Sequence, residues 1–571
     1  MALDPKLRAQ AEAWLQEDPD EDTRAELRRL LEAEDEAELA DRFQGMLTFG
    51  TAGLRGLLGA GPHRMNRVVV LRATAGYCAH LLASVPDAAE RGVVVGYDGR
   101  RKSRQLADDA AAVIAGMGLR ARVFEHVTPT PLVAFALLDQ EAAGALVITA
   151  SHNPPDYNGY KVFWENGAQI VPPHDAAIAA AIAEVGPLSS IPRGDARTVL
   201  GPDVAGRYLA GVAALLKHPE APRDLVIAHT ALHGVGAPYV RRALKDAGFE
   251  QVHEVASQRE PDGTFPTVAF PNPEEEGAMD AVGALAREVG ADLVLANDPD
   301  ADRLAVEVLH EGAYVRLTGN EIGCLLAAYL LEEGDADAER LVVESVVSSP
   351  MLLDIAAAHG ARGEQTLTGH KWIQNRGIEL EQEEGLAFVF GYEEALGYAC
   401  GTLVRDKDGI SAAVVMADLA AFCRAQGMTL IDYREQCWRR YGLYLSDQVS
   451  IVLPGAEGAG RIRGMMETAR AEPPTTLGGL AVTAVQDFAT RTRRAADGTE
   501  TPLTFPSADV VVFEIDGGHR AMLRPSGTEP KLKMYFDVRV TMAEGESVEA
   551  AQRRGGELLA AVVADFRAAF G

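Results

Sequence analysis

Short apolar runs alternate with polar, glycine-containing loops and with Ala/Leu-rich segments along most of the chain. Uninterrupted apolar runs are typical of strands that are buried on both faces of a mostly parallel sheet. Their alternation with helical segments predicts α/β units, and the chemistry of such units lies in the loops beyond the carboxyl ends of the strands. The runs begin at Val93, Ala145, Leu225, Leu293, Leu341 and Leu386.

The two ends of the chain follow other patterns. Leu27, Leu30 and Leu31 recur at helical spacing, which predicts two short helices within the first forty or so residues. Thr23 and Glu26 resemble a capping box there. Beyond about residue 450, alternating strand patterns, a Gly/Pro-rich loop and a final helix predict a small α+β domain. The length of 571 residues predicts about four domains, which we place at 1–204, 205–325, 326–446 and 447–571.

Composition and charge narrow the class of protein. Hydrophobic residues make up 47% and charged residues 24% of the chain, which is typical of a globular protein and excludes a disordered one. The formal charge of −29 argues against nucleic-acid or membrane-surface partners, because both attract basic proteins. An anionic small-molecule substrate would need a locally positive site.

Cysteine usage and the first residues point to a compartment. The five cysteines form no CxxC pair, which is typical of a reduced, intracellular chain. The first residues lack the apolar segment of a signal peptide, and no run of 18 apolar residues occurs. We therefore expect a cytoplasmic protein, as a monomer or homodimer.

An acidic loop follows the apolar run at Leu293. Asp298, Asp300 and Asp302 alternate with other residues and precede Arg303. Three carboxylates so close together repel one another, and a cation is the simplest compensation. Glycine at position six and glutamate at position twelve, which an EF-hand needs, are absent. The pattern predicts a magnesium site with room for a phosphate oxygen.

Ser151 and His152 stand at the end of another apolar run, in the sequence TASHNPP. The serine is either a nucleophile or a capping residue of an Asn-Pro turn. The GxSxG pattern of hydrolases is absent, and a histidine next to a serine rarely faces it. Taken alone, the loop favours the turn.

Other loops supply groups that bind anions or hydroxyls. The sequence RPSGTEP offers a guanidinium, two hydroxyls and exposed backbone N–H groups, the ingredients of a phosphate cradle. Glu393 and Glu394 are hydroxyl acceptors or a solvated pair. Lys161 and Arg100, taken alone, are ordinary surface cations. The remaining polar positions lie in loops that alone predict only turns: Arg55, Thr368, Gly369, His370 and Lys371.

Together the loops resemble a known family. TASHNP around Ser151, DPDADR from Asp298, GYEEALG from Gly391 and RPSGTEP from Arg524 are similar to the four signature loops of the α-D-phosphohexomutases, in the same order. FGTAGLRG, TLTGHKW and DKDG resemble the long phosphoglucomutase and phosphopentomutase branch. The resemblance implies a heart-shaped protein with three related α/β domains of mixed sheets and a smaller C-terminal α+β domain. It assigns the phosphoserine, metal, sugar and phosphate loops to the four domains in chain order, around one cleft.

The resemblance also implies roles for individual residues. Ser151 would be phosphorylated, and Mg²⁺ would be held by Asp298, Asp300, Asp302 and an oxygen of that phosphate, with Arg303 as support. Proton transfer would fall to His152, Lys161 or Arg55. The sugar would be bound by Thr368, Gly369, His370, Lys371, Glu393 and Glu394, and the phosphate by Arg524, Ser526, Gly527 and Thr528.

The implied reaction interconverts α-D-glucose 1-phosphate and glucose 6-phosphate, with glucose 1,6-bisphosphate as intermediate and activator. Phosphopentomutase, phosphomannomutase and hexose-bisphosphate synthase activities stay open. Ala395 and Tyr398 stand where many bacterial relatives have Ser and His, so the preferred sugar is not decided. A metal-binding sugar-phosphate sensor without catalysis and a serine hydrolase using Ser151 are the alternatives from other classes.

Overall fold

The computed structural model describes residues 3–48, 53–453, 455–526 and 531–570. The chain forms two compact units. The first contains Met1–Leu317 and Ala395–Gln426, and the second contains Thr318–Glu394 and Gly427–Gly571.

The first unit begins with three helices rather than the predicted two: α1 (Pro5–Glu17), α2 (Glu21–Glu32) and α3 (Glu36–Arg42). The predicted capping box of Thr23 with Glu26 is wrong, because Asp20 caps α2 by accepting a hydrogen bond from the Asp22 N–H. The Thr23 hydroxyl instead donates to Asp18. Glu26 accepts hydrogen bonds from Arg42 and from the backbone of residue 60.

A six-stranded mixed sheet follows. Its strands are β1 (Leu54–Leu57), β2 (Val93–Tyr97), β3 (Ala121–Phe124), β4 (Gly144–Ile148), β5 (Tyr157–Trp164) and β6 (Arg197–Leu200), in the order β1-β5-β4-β2-β3-β6. Its helices are α4 (Arg67–Ser84), α5 (Ala88–Arg91), α6 (Ser103–Gly116), α7 (Thr130–Asp139) and α8 (His174–Ala183). Strands β4, β2, β3 and β6 are parallel. All five positions of β2 and of β4 are buried, as the apolar runs predict.

The second sheet of this unit is also mixed. Its strands are β7 (Ile227–Thr230), β8 (Val252–Glu254), β9 (Leu293–Ala296), β10 (Ala305–His310) and β11 (Ala313–Arg316), in the order β11-β10-β9-β7-β8. Its helices are α9 (Pro202–Ala213), α10 (Ala237–Asp246) and α11 (Asp280–Val289). β9, β7 and β8 are parallel, and the hairpin β10–β11 pairs antiparallel to β9.

The second unit starts with a parallel group of strands in which β12 (Arg340–Ser345) lies between β13 (Arg362–Thr366) and β14 (Ala387–Glu393). Helices α12 (Gly319–Glu332), α13 (Met351–Ala358) and α14 (His370–Glu384) accompany them. The chain then returns to the first unit with β15 (Gly397–Cys400) and the buried helix α15 (Gly409–Ala425).

The C-terminal part of the second unit is an antiparallel sheet, in agreement with the predicted α+β domain. After α16 (Leu430–Tyr441) come β16 (Leu443–Val452), α17 (Gly455–Ala471), β17 (Thr476–Leu477), β18 (Leu480–Asp487), β19 (Thr492–Ala495), β20 (Glu500–Pro502), β21 (Val511–Ile515), β22 (His519–Pro525), β23 (Lys531–Val540) and α18 (Val548–Phe570). The order is β16-β23-β22-β21-β18-β19-β20, and β17 pairs with β18. In its core, Phe513 and Phe536 pack against Phe566 of α18.

The predicted limits between domains need small shifts. The boundaries after residues 204, 325 and 446 fall inside α9, α12 and β16. Because a helix or a strand is continuously hydrogen-bonded, each break belongs before the element, near Gly201, Thr318 and Gly442. The division into four domains, with its boundaries moved in this way, stays a prediction.

Among the described residues, no single helix is long and apolar enough to cross a membrane. Only when taken together as a bent pair are α15 and α16 long and apolar enough for a membrane span, by length and composition alone. Helix α15 is buried along nearly its whole length within its own unit, and core helices often pass this test.

Asp418, on α15, binds the segment between α9 and β7 within the first unit. Its buried carboxylate accepts hydrogen bonds from the backbone N–H groups of Lys217 and His218 and pairs with Arg223 at 2.8 Å. We expect Asp418→Ala to lower the free energy of unfolding by about 3 kcal/mol, because it leaves buried donors unpaired. Urea titration checks this. Asp224→Ala, which removes an exposed pair with Arg424, is the control, and an equal loss in both variants would contradict the prediction.

Glu344, at the end of β12, gives the second unit a pH-dependent stability. Burial raises the pKa of this carboxyl from 4.5 to about 8, although Arg520 opposes the shift; Asp537, Tyr392 and Cys324 also face it. Between these pH values the unfolded chain has released the proton and the folded chain retains it, so stability falls as pH rises.

We therefore expect Glu344→Gln to gain stability relative to the unsubstituted protein as pH rises from 5 to 8, by up to about 1.4 kcal/mol per pH unit. Urea midpoints measured across this range check the trend. Glu339→Gln, at an exposed position just before β12, is the control. If the difference in urea midpoint between Glu344→Gln and the unsubstituted protein did not change with pH, Glu344 would not be the source of the pH dependence.

Candidate functional site

The acidic loop predicted to bind metal follows β9, and its carboxylates lie together. Asp298, Asp300 and Asp302 are at most 1% exposed, and each offers an oxygen within 4.8 Å of the others. One oxygen of Asp300 and one of Asp302 accept no hydrogen bond from the described residues. Buried carboxylate oxygens without donors are the ligands that a hard divalent cation prefers. The residues therefore fit a cation such as Mg²⁺.

Neighbouring loops of the first unit hold the acidic loop in place. The loop after β7 approaches Pro299 so closely that a Cβ on Gly234 would lie 2.3 Å from the Pro299 Cα. The Val235 N–H donates to the Pro299 carbonyl at 2.8 Å. At the start of α7, the Thr130 hydroxyl donates to Asp300 at 2.6 Å. Glycine at position 234 is required because any side chain would displace the acidic loop.

Ser151 reaches the acidic loop from the end of β4. It is 3% exposed and adopts a left-handed backbone conformation with φ of 52°. Its hydroxyl donates to a carboxylate oxygen of Asp298 at 2.6 Å. Its Oγ also lies 3.2 Å from Nδ1 of His152, so the expectation that this histidine faces away is wrong. The positive φ turns the two neighbouring side chains toward each other.

Two lysines partly compensate the three carboxylates. Nζ of Lys161, on β5, lies 2.7 Å from oxygens of both Asp300 and Asp302, and Nζ of Lys407 lies 3.3 Å from Asp302. The interpretation of Lys161 as a surface cation is therefore wrong. Sequence reasoning missed Lys407, although the DKDG pattern before α15 contains it. The three carboxylates outnumber the two ammonium groups that contact them, which favours a further cation.

Burial and these charges set the protonation of the acidic loop. Burial, with the charges of Asp300 and Asp302, raises the pKa of Asp298 well above its ordinary value. Burial alone would also raise the pKa of Asp302, but Lys161 and Lys407 hold it far below the usual range. Burial, with nearby Arg303 and Arg55, lowers the pKa of His152 well below 6.5.

The other predicted cations of this unit lie close by. The Arg303 N–H donates to Asp298 at 3.1 Å, and its guanidinium lies 3.4 Å from Glu274. The Arg55 guanidinium donates to the Asn153 side chain at 2.8 Å, two residues beyond Ser151. The structure thus brings together all the phosphoserine, metal and proton-transfer residues that the sequence predicts.

Arg100 is a second residue that sequence reasoning missed. It is 4% exposed, so its interpretation as a surface cation is wrong. Its guanidinium donates to backbone carbonyls of the Ser151 loop. Its position directly after the buried strand β2, within Asp98-Gly-Arg100, is the signal that could have found it, since the other site loops also follow buried strands.

In the second unit, the two loops predicted to bind sugar contact each other. Glu393, at the end of β14, accepts a hydrogen bond from the Gly369 N–H at 2.8 Å, and its other oxygen lies 3.9 Å from Nδ1 of His370. The Thr368 hydroxyl is buried in the same loop, and the Lys371 ammonium lies over the Trp372 ring.

Glu394 points to the loop after β12. Its carboxylate accepts hydrogen bonds from Ser345 at 3.3 Å and Ser348 at 3.5 Å. Burial, with the charge of Glu393, raises the pKa of Glu394. Glu394 is thus a half-buried, hydrogen-bonded carboxyl and not a fully solvated one.

The predicted phosphate loop is described only in part. Arg524 lies on β22, with its guanidinium 3.5 Å from the Tyr535 hydroxyl, and the Ser526 N–H donates to the Lys531 carbonyl at 2.7 Å. Gly527 and Thr528 lie outside the described residues, as do residues 49–52 of the FGTAGLRG segment. Their predicted roles stay predictions.

Comparison with known proteins agrees with this arrangement. Models of the phosphoglucomutase/phosphomannomutase α/β/α domains I, II and III match residues 46–187, 206–311 and 318–441. A Schizosaccharomyces pombe relative named "Probable phosphoribomutase" is 38% identical over 99% of this chain and 98% of its own length. A Haemophilus influenzae relative named "Probable phosphomannomutase" is 41% identical over 83% of this chain and 93% of its own length.

Two further similarities complete the comparison. The human protein named "Glucose 1,6-bisphosphate synthase" is 35% identical over 94% of this chain and 90% of its own length. The solved structure of a phosphoglucomutase/phosphomannomutase family protein from Burkholderia thailandensis covers 91% of this chain and 96% of its own, with a TM-score of 0.66 and 19% identity, and shows the same fold. The chain therefore belongs to the phosphoglucomutase/phosphomannomutase family, the α-D-phosphohexomutases.

Proposed function

We propose that this protein is a phosphosugar mutase that interconverts α-D-glucose 1-phosphate and glucose 6-phosphate through a phosphoserine at Ser151. The observation that supports this most is the buried contact of the Ser151 hydroxyl with Asp298, beside two further aspartates and Lys161. A serine in that position is surrounded by the groups that phosphoryl transfer needs: carboxylates for a cation and ammonium groups for phosphate oxygens.

Asp298, Asp300 and Asp302 would hold Mg²⁺ together with an oxygen of the Ser151 phosphate. The bound cation would neutralise charge that develops on the transferred phosphoryl group. Phosphorylation adds about −1.5 to −2 charges, so Lys161, Arg303 and the cation would all be needed beside it.

In the first step of the proposed reaction, the bond between Ser151 Oγ and phosphorus breaks, and the free hydroxyl oxygen of the sugar monophosphate forms the new bond to phosphorus. The hydroxyl proton passes to His152, whose imidazole is neutral because burial lowers its pKa. Although burial opposes the shift, Asp300 and Asp302 raise the pKa of Lys161, so Lys161 stays an ammonium and would orient phosphate oxygens. Arg55 stays charged at any ordinary pH, so its part would be to orient the phosphate. The bisphosphate then reorients, and Ser151 Oγ forms a bond to its other phosphorus while the bond between that phosphorus and the sugar oxygen breaks. The proton returns from His152 to that sugar oxygen, which leaves the isomeric monophosphate.

Both orientations of the sugar must be bound by one set of residues, because the bisphosphate reacts from either end. We assign the hydroxyl contacts to Glu393 and Glu394, with Thr368, Gly369, His370 and Lys371 in the adjoining loop. The phosphate that does not react would be bound by Arg524, Ser526, Gly527 and Thr528.

A pentose phosphate is the second candidate substrate. The relative named "Probable phosphoribomutase" aligns with 99% of this chain, more than either other relative described above. Turnover of glucose 1-phosphate, mannose 1-phosphate and ribose 1-phosphate at equal concentrations decides between hexose and pentose. A sensor without catalysis would turn over none of them and would carry no phosphoserine.

We expect Ser151→Ala to lose the phosphate from the intact mass and to reduce conversion of glucose 1-phosphate by at least about 1,000-fold, because the phosphoryl carrier is gone. Mass spectrometry and an assay with Mg²⁺ and a trace of glucose 1,6-bisphosphate measure both effects. Ser189→Ala, an exposed serine of the same unit, is the control. A variant that keeps both the phosphate and the activity would rule out the mechanism.

We expect Asp300→Asn to reduce turnover by at least about 100-fold while the protein stays folded, because loss of one ligand weakens charge stabilisation by several kcal/mol. Chelation by EDTA should reduce activity of the unsubstituted protein in the same way, and added Mg²⁺ should restore it. Calorimetric titration with Mg²⁺ should show weakened binding in Asp300→Asn but not in the exposed control Asp280→Asn. Equal binding and activity in the two variants would remove the aspartates from the proposal.

A further inference from the structure

Arg100 binds several backbone carbonyl groups of the loop that carries Ser151. The guanidinium donates hydrogen bonds to four carbonyl oxygens, and its rigid fork of five N–H donors makes this possible for a single side chain. Two of the bonds measure 2.8 and 3.2 Å, to Pro154 and Tyr157, and the other two go to Ser151 and Asn153.

The guanidinium is itself held from other sides. Asp98 lies 3.4 Å from its Nε, and both side chains are 1% exposed. Asp98 is fixed in turn, because it accepts hydrogen bonds from the Arg100 N–H and from the Ser103 hydroxyl. The ring of Phe265, in the long segment between β8 and α11, lies 4.8 Å from the guanidinium carbon, and Gly263 packs against the Arg100 backbone. Arg100 therefore has one orientation.

The neighbouring arginine shows that this arrangement is specific to one position. Arg101 also contacts the Ser151 loop, through Asp156 at 2.5 Å and the Pro155 carbonyl at 3.4 Å. Its side chain is 51% exposed, however, and it reaches only one carbonyl. Arg101 is therefore a matched control of the same charge, in the same loop.

The four hydrogen bonds decide which way the Ser151 loop faces. The Ser151 carbonyl oxygen faces Arg100, whereas the Ser151 hydroxyl donates to Asp298. A carbonyl oxygen is the negative end of a dipole and would repel phosphate oxygens. Ser151 also has a positive φ, which a residue with a side chain keeps only where its surroundings impose it. Arg100 supplies that constraint and turns the carbonyl oxygens away.

We propose that Arg100 is a positioning residue for phosphoryl transfer, which fixes the Ser151 oxygen beside the aspartates and removes carbonyl repulsion from the phosphate. This inference rests on the proposed function, because it presupposes a phosphoserine at Ser151. The contacts assigned to the sugar involve other loops, so loss of Arg100 should slow the transfer step and leave sugar binding nearly unchanged.

Arg100→Lys tests this, because a compact ammonium keeps the charge but cannot reach four carbonyls. The measurement is single-turnover transfer from phosphorylated enzyme to glucose 1-phosphate, together with the steady-state KM. We expect the transfer rate to fall about 30- to 100-fold, as for a small displacement of a reacting group. KM should stay within about threefold, and Arg101→Lys should change the rate less than about twofold.

The outcomes separate this inference from the proposed function. Folding of each variant is checked by circular dichroism and thermal unfolding, and rates are compared below the melting range. A folded Arg100→Lys variant with a normal transfer rate, or with a raised KM at a normal rate, overturns the positioning role and leaves the mutase standing. An unsubstituted protein without phosphoserine and without turnover overturns both.

Phe265→Leu provides a second test if Arg100→Lys does not fold. This change keeps the four hydrogen bonds and removes the aromatic face that fixes the guanidinium. We expect the transfer rate to fall about threefold with KM unchanged, since one of the restraints on Arg100 is lost. A transfer rate equal to that of the unsubstituted protein overturns the proposal.

Discussion

Three carboxylates buried within 4.8 Å of one another are the constraint on which the first unit depends. Burial makes their mutual repulsion strong, so they can coexist only where positive groups and hydrogen-bond donors converge. Lys161 comes from one sheet, Thr130 from a helix of the same domain, and Lys407 from the segment that returns after the second unit. The groups that compensate the aspartates therefore come from distant segments of the chain.

Most of the candidate functional groups lie at or just beyond the carboxyl ends of buried strands. Ser151 follows β4, the aspartates follow β9, and Glu393 ends β14, and each of these strands is apolar and largely buried. A polar side chain within a buried strand costs free energy unless it is paired, whereas a polar side chain in the loop beyond the carboxyl end of the strand does not. The sites therefore lie where rigid strands end. Arg100 also lies beyond the end of a buried strand, because it follows β2. It supports the loop after β4, which is the neighbouring parallel strand.

The sequence was a good guide to the type of each element and to the acidic loop, and a poor guide to the surroundings of single side chains. Apolar runs predict β2 and β4 because burial on both faces requires them. The predicted capping box at Thr23 is wrong because α2 begins at Glu21 with Asp20 as its cap, so Thr23 lies inside the helix. The local sequence of Arg100 predicts only a surface cation, because it does not reveal the four carbonyls that a loop about fifty residues away contributes.

The sequence by itself determined the α/β class, the strand-end loops and the chemical types gathered there, since these follow from local hydrophobic periodicity and from short motifs. Only the tertiary structure decided which charges compensate which. Lys161 meets Asp300 across 139 positions of sequence, and Ser151 meets Asp298 across 147. Burial and charge pairing depend on what surrounds a group in space, and in this protein sheet packing brings those distant residues together.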